Sequence, residues 1–275
     1  MRALTGLRRP RRPVLGTEFS GTVVEVGARV ERFSLGERVF GYLEGRFGTH
    51  AEYLVVAQGA SVATVPENVD LATAAAATEG FHYARSAIRR AGVRPGDRVL
   101  VNGATGGIGS AAVQQLAAMG TAVTAVCGAE HAELVRGLGA ERVVDHRRED
   151  FTRVPDRFDV VLDAVGRSTF GRCRPLLRPD GVYVSTELGP GAQNLPLSLL
   201  GLVRRGRRRV VFPFPEDSRA VVEEIAAHLA AGTFRPVIDR SYPLGEIAAA
   251  YRYVESGQKL GNVLISVDES GREGG

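Results

Sequence analysis

The chain is poor in cysteine, with two in 275 residues and none before Cys127. That excludes a disulfide framework and points to a reducing, cytoplasmic setting. Long apolar runs are missing too. None approaches the roughly 18–20 residues that span a bilayer, and no signal-peptide core opens the sequence, so no membrane partner is expected. Histidine is scarce, with five copies. His50, His82 and His228 stand singly, whereas zinc needs three or four ligands at close spacing, so no metal is expected. The net charge is only +4, but it is gathered. Arg8, Arg9, Arg11 and Arg12 crowd the start, and Arg204, Arg205, Arg207, Arg208 and Arg209 form a second run. No aromatic residues interleave with them to stack bases, so they read as solvated loops and no nucleic acid is expected. Hydrophobic content of 44% and charged content of 24% describe an ordinary globular protein with room for one large or two modest domains.

Glycine, by contrast, is plentiful, and its densest cluster organises the rest. Val99-Leu100-Val101 reads as a buried strand and is followed by the turn Gly103-Ala104-Thr105-Gly106-Gly107-Ile108-Gly109. Next comes a helix in which Ala112, Leu116 and Met119 share one face; Gly120 stops it, and Thr121–Cys127 is a second strand. Residues 98–127 thus hold one strand–helix–strand unit of the size that binds a dinucleotide. Gly103 makes the sharp turn, Gly106 and Gly107 let the backbone approach a pyrophosphate, and Gly109 lets the helix pack close to the strand. The first helical N–H groups then face an anion. A merely tight turn is the bland alternative, but strand, turn and helix fall in the order that nucleotide binding requires. All seven residues from Gly103 to Gly109 are assigned to the cofactor.

Along the chain, residues 14–27, 31–40 and 51–56 are glycine-punctuated strand sequence that suggests a small β-barrel-like domain. Pro66–Ala77 turns helical and marks the crossing into a second domain. From there helices alternate with strands at Arg142–Asp145, Phe158–Asp163, Val182–Thr186 and Arg209–Phe214, with a breaker cluster at Pro179-Asp180-Gly181. Six such strands predict a doubly wound parallel α/β sheet. The tail carries two apolar helix faces, Val222, Ile225, Ala226 and Leu229 and then Ile247, Ala250, Tyr251 and Val254, with short strands at Val237-Ile238 and Asn262–Val267. It is expected to return to the first domain and close a cleft. The domains are therefore 1–80 with 220–275, and 81–219; the polar end Asp268–Gly275 is expected to fray.

The motifs GTEFSGTVVEVG (16–27), GERVFGY (36–42), AEYLVV (51–56), PGDRVLVNGATGGIG (95–109), LGAERVVDHRREDF (138–151), FDVVLDAVG (158–166), LRPDGVYVSTE (177–187) and the stretch 232–267 occur in one order. Together they resemble the medium-chain dehydrogenase/reductase superfamily, in its quinone-oxidoreductase and zinc-independent alcohol-dehydrogenase-like branch. The resemblance implies a Rossmann domain beside a GroES-like catalytic domain. Family chains carry further strands ahead of the Gly16-Thr17-Glu18 motif, whereas fifteen residues precede Gly16 here. The catalytic domain is thus expected to be incomplete at its N-terminus, with a sheet edge and core surface exposed. Thr17 stands where zinc-dependent relatives place a ligating histidine, and the family's cysteine-rich structural lobe is absent.

An NAD-preferring site carries a carboxylate about 20 residues beyond the glycines. Gly128 stands there, leaving room for a 2′-phosphate, although Glu130 is near. By resemblance His131 and His146 occupy positions that hold the phosphate, with Arg147 as a further cation; ordinary surface histidines are the alternative. NADPH affinity should then fall as imidazole charge is lost with rising pH. Val165 and Gly166, and the segment Phe212–Phe214, would flank the adenine-ribose and nicotinamide ends, or else simply pack at strand ends. Asp163 reads as structural. NADPH is expected over NADH, and the substrate is expected to be a small electrophile, a quinone or an α,β-unsaturated carbonyl. Tyr42 and Tyr53 are candidate proton donors that nothing singles out, so the catalytic residue stays unassigned. An alcohol dehydrogenase of small carbonyls, or an inactive nucleotide-binding sensor or subunit, are the alternatives. A homodimer through the sixth strand is implied by resemblance.

Overall fold

The computed structural model describes residues 14–43, 45–203, 208–214, 216 and 218–267. Arg8, Arg9, Arg11, Arg12, Arg204, Arg205, Arg207 and the polar end 268–275 lie outside the described residues. The chain divides into two compact units, one of residues up to Glu79 with those from Asp217 onward, the other Gly80–Glu216.

The first unit opens with β1 (Glu18–Thr22), β2 (Arg38–Tyr42) and β3 (Val62–Thr64), joined in that order as an antiparallel sheet. Their register pairs Glu18 with Tyr42 and Thr22 with Arg38. The stretch Ala51–Val56, expected as a strand, joins neither sheet of this unit, and Val55 is 98% exposed. β-branched composition makes a strand only where another backbone completes the ladder, and none among the described residues does. Helix α1 (Leu71–Ala91) follows. Asp70 caps it, accepting from the Thr73 N–H at 2.6 Å, and Arg89 and Arg90 sit favourably in its last turn.

The second unit runs β4 (Arg98–Asn102), α2 (Gly107–Ala118), β5 (Ala122–Cys127), α3 (Ala132–Gly137), β6 (Arg142–Asp145), β7 (Phe158–Asp163), α4 (Phe170–Cys173), β8 (Leu177–Ser185), α5 (Asn194–Val203) and β9 (Arg209–Val211). The six strands lie in the order β6-β5-β4-β7-β8-β9, every neighbouring pair parallel. This is the doubly wound sheet the alternation predicts. Leu100, Val126, Val144, Phe158, Val161, Tyr183 and Val210 form its contiguous core. Each fully buried aliphatic side chain contributes about 1.5–3 kcal/mol.

Two boundaries differ from expectation. The cluster Pro179-Asp180-Gly181 does not end an element but lies inside β8, where the register jumps from Phe158–Leu177 to Val160–Val182. Arg178, Pro179 and Asp180 are exposed, so the breakers are carried as an irregularity outside the ladder. β9 stops at Val211 because the Phe212 N–H goes to Ser198 Oγ at 3.1 Å and Pro213 has no N–H to give.

The chain then completes the first unit with α6 (Arg219–Ala230), β10 (Ile238–Pro243), α7 (Ile247–Glu255) and β11 (Asn262–Ser266). Val221, Val222, Ile225 and Leu229 of α6 are buried, and the helix packs against β3. β10, α7 and β11 make a small parallel unit, with Tyr242 paired to Ile265. Asp239 ties it together, accepting from Tyr253 Oη at 2.7 Å and from the Leu260 N–H at 3.0 Å. A three-stranded and a two-stranded sheet are thus present, and no closed barrel among the described residues. No helix among them is long and apolar enough to cross a membrane.

Candidate functional site

In the second unit the β4–α2 turn is shaped by glycine and by backbone hydrogen bonds. Gly103, at φ +79°, turns the chain, and its N–H and that of Ala104 both donate to the Val126 carbonyl at 3.2 Å, fixing the turn on β5. A Cβ on Gly109 would overlap the Gly103 carbonyl oxygen, so only glycine lets α2 start so close to the strand. Gly106 is the N-cap and gives α2 no side-chain acceptor. The N-cap thus supplies no side-chain acceptor to the first N–H groups of this twelve-residue helix, which among the described residues are open to an outside partner. The residues fit a dinucleotide pyrophosphate on this geometry.

The turn lies where the strand order reverses, between β4 and β7, which is where open α/β sheets bind ligands. Val165 and Gly166 follow β7 directly. A Cβ on Gly103 would stand 2.8 Å from Val165 Cγ2, so the glycine turn and this strand end touch. Gly166, at φ +65°, packs against the Glu187 side chain. Burial pushes the Glu187 carboxyl above its ordinary range, with the Asp163 charge adding to the effect. Asp163 itself is fully buried and accepts from the backbone N–H groups of Val165, Gly166 and Ser168 at 3.3, 3.1 and 3.0 Å and from Tyr183 Oη at 3.0 Å. It is a structural group, as its strand-end position implied.

His131 and His146 follow β5 and β6, adjacent parallel strands, and the His146 N–H donates to the Cys127 carbonyl at 3.2 Å. Glu130 sits between His131 and Arg147. Its Oε1 lies 2.7 Å from an Arg147 guanidinium nitrogen and 3.6 Å from His131 Nε2. The space beside Gly128 is filled by this same carboxylate. A cavity of about 320 Å³ beyond it is lined by His146, Arg147, Asp150, Phe151 and Arg172 among others. Phe212 and Phe214, expected to flank one end of the cofactor, follow β9 at the edge of the sheet. They pack edge to face at 5.1 Å beside β9, three strands from β4, and the Phe214 carbonyl accepts from Ser86 Oγ at 2.6 Å.

The first unit has a cavity of its own, about 1630 Å³. Thr17, His50, Tyr251 and Lys259 line it, drawn from distant parts of the sequence with no local signal to group them. Thr17 Oγ1 donates to Glu18 Oε1 at 2.7 Å, and the His50 and Tyr251 rings meet edge to face at 6.0 Å. Burial lowers the pKa of His50 and of Lys259, whose Nζ donates to the Gly261 carbonyl at 2.6 Å; burial and Glu18 raise that of Tyr251. Tyr42 is 1% exposed and belongs to the core, whereas Tyr53 is open to solvent. Among the described residues no three His, Cys, Asp or Glu side chains gather as a metal requires.

Residues 2–67 match the alcohol dehydrogenase GroES-like domain, and residues 138–265 match the family described as zinc-binding dehydrogenase. A mitochondrial NAD(P)H oxidoreductase of Mus musculus is 32% identical, over 92% of this chain and 70% of its own length. The chain belongs to the medium-chain dehydrogenase/reductase superfamily, in its quinone-oxidoreductase-like branch. The 2-methylene-furan-3-one reductase of Solanum lycopersicum is 31% identical over 93% of this chain. The chain spans 64% of that reductase's length. A solved quinone oxidoreductase from Pseudomonas syringae pv. Tomato has the same fold, with a TM-score of 0.77 at 27% identity over 92% of this chain and 82% of that one.

Proposed function

We propose that this protein transfers a hydride from NADPH to a quinone or an α,β-unsaturated carbonyl, without zinc. The uncapped, glycine-rich start of α2 at the reversal of the strand order carries this reading. The nicotinamide ring supplies the hydride when the cofactor is bound. The chain's own residues hold and orient it. The N–H groups opening α2 take the pyrophosphate, and Asp163 keeps the Val165–Gly166 turn in place beside them. His131, His146 and Arg147 are the side chains for a 2′-phosphate. Thr17 offers a hydroxyl already engaged with Glu18 and no soft ligand, so an acceptor that is electrophilic without metal suits this donor set. The tomato relative's name specifies a conjugated enone, and the Pseudomonas protein's a quinone. Tyr42 is too deeply buried to deliver a proton, and solvent is the proton source in this reading. The free, buried cysteines suit a reducing cytoplasm, and β9, an edge strand, is the surface for a homodimer.

The test is titration with NADPH and NADH, followed by turnover against quinones, enones and simple aldehydes with metal analysis of the same sample. NADPH binding with reduction of the first two acceptor classes at sub-stoichiometric zinc is expected. Failure to bind either nucleotide defeats the proposal. A second reading, an alcohol dehydrogenase, is favoured by the zinc-binding description matched by residues 138–265, and one zinc per chain with aldehyde turnover would establish it.

A further inference from the structure

We infer that Glu130 sets the cofactor preference of this protein, acting as the ribose-side carboxylate from two positions beyond Gly128 and holding the cations that a 2′-phosphate needs. The inference rests on the nucleotide site proposed above. Gly128 follows β5 in extended conformation, at φ −74° and ψ 148°. A Cβ on it would lie 2.6 Å from Glu130 Oε2 and 2.7 Å from Oε1, so the carboxylate folds back to where a side chain of residue 128 would begin. The turn Ala129–His131 produces that fold-back, closed by the His131 N–H donating to the Gly128 carbonyl at 3.0 Å. An acidic group about 20 residues past the glycines is the acceptor that takes a ribose 2′-OH. Glu130 supplies it here although the strand end itself is glycine.

The same carboxylate is held from the β6 side. Arg147 reaches its Oε1 at 2.7 Å, while the Arg147 backbone N–H donates to Asp145 Oδ1 at 3.0 Å and so fixes the turn that carries the guanidinium. The carboxyl stays below its ordinary range, first through its own backbone N–H and then through Arg147 and His131, with burial and Asp145 opposing. It is therefore ionised at neutral pH. A phosphate ester entering beside it meets a like charge and must take Arg147 and His131 from an existing partner. A ribose hydroxyl meets neither obstacle and can donate to Glu130. The native preference for NADPH over NADH is accordingly narrow, and Glu130 is what narrows it.

The experiment measures dissociation constants for NADPH and NADH with the native chain and with the variants Glu130→Gln, Arg147→Gln and Glu133→Gln. The chain has no tryptophan, so the dihydronicotinamide fluorescence is read directly. Glu133 is an exposed acid on α3 paired to Arg136 and controls for net charge. E130Q is expected to raise the ratio of NADH to NADPH dissociation constants at least tenfold, tightening NADPH and weakening NADH. R147Q should weaken NADPH selectively, and E133Q should move neither constant more than twofold. An unchanged ratio in E130Q, or an equal shift in E133Q, overturns the role of Glu130 and leaves the nucleotide site standing. A native chain that binds neither nucleotide overturns both.

Discussion

Asn102 and Asp163 join the carboxyl ends of β4 and β7 through a buried 2.9 Å hydrogen bond from Asn102 Nδ2 to Asp163 Oδ1. These are the two strands between which the sheet order reverses, so the bond closes the edge of the crevice where the glycine turn opens. The Ala164 N–H donates to the Asn102 carbonyl at 3.0 Å, and the pair is thereby linked through backbone as well. One carboxylate thus organises two strand ends and the turn after them.

Replacing Asp163 with Ala leaves Asn102, Tyr183 and three backbone N–H groups without their acceptor inside the protein. Hydrogen bonds to a charged group contribute about 1.5–3 kcal/mol each, and orphaned donors add their desolvation cost, so a loss of about 3 kcal/mol or more is expected. Urea unfolding of D163A against the native chain measures it. A loss below about 1 kcal/mol would show that the network is not the constraint described here.

Gly109→Ala tests the close approach of α2 to the turn. The new methyl group collides with the Gly103 carbonyl oxygen, which is backbone and cannot rotate away. Overpacking of this kind costs about 1–3 kcal/mol, and relief requires α2 to withdraw from the turn. NADPH affinity should fall at least tenfold, while far-ultraviolet circular dichroism stays close to native. Retained affinity would mean that the turn tolerates displacement and is not the pyrophosphate cradle.

How much of this was legible in the sequence follows from what is local. The turn from Gly103 to Gly109 and the strands on either side are coded by neighbouring residues, and they fold as the spacing implies. Ala51–Val56 misled because strand formation depends on a partner backbone, and none among the described residues pairs with it; Pro179-Asp180-Gly181 misled because β8 runs on through them as an unpaired irregularity between Leu177 and Val182. Glu130 was visible as an acid near the expected spacing, but its return onto Gly128 is a product of the short turn that follows β5. His50, Tyr251 and Lys259 meet on one cavity wall only through tertiary folding, which no spacing rule reports.

Both cysteines should be inert in the folded protein. Cys127 is 3% and Cys173 0% exposed, and burial pushes each thiol up to about 11. Cys173 Sγ also sits 3.2 Å from Ser168 Oγ. At pH 8 the thiolate fraction is then at least about 100-fold below that of a free cysteine, before access is considered. Labelling with an aromatic disulfide should be negligible in buffer and report two thiols in denaturant. Rapid native labelling of either residue would contradict the buried assignment.

His82 makes the second unit sensitive to acid. The residue is 2% exposed on α1, and its ring meets Tyr83 edge to face at 4.5 Å. Burial, then Arg85, depresses its pKa from 6.5 to about 4, with Glu216 opposing. The folded chain therefore holds His82 neutral while the unfolded chain takes up a proton below pH 6.5. Stability from this group is complete above pH 6.5 and is lost as the pH falls toward about 4. The shift corresponds to about 3 kcal/mol across that window. His82→Phe keeps an aromatic ring against Tyr83 and removes the titration, so the difference in unfolding free energy between native and variant chains should grow by that amount from pH 4 to 6.5 and stay level above. Parallel curves over the whole range would remove His82 as the acid-sensitive group.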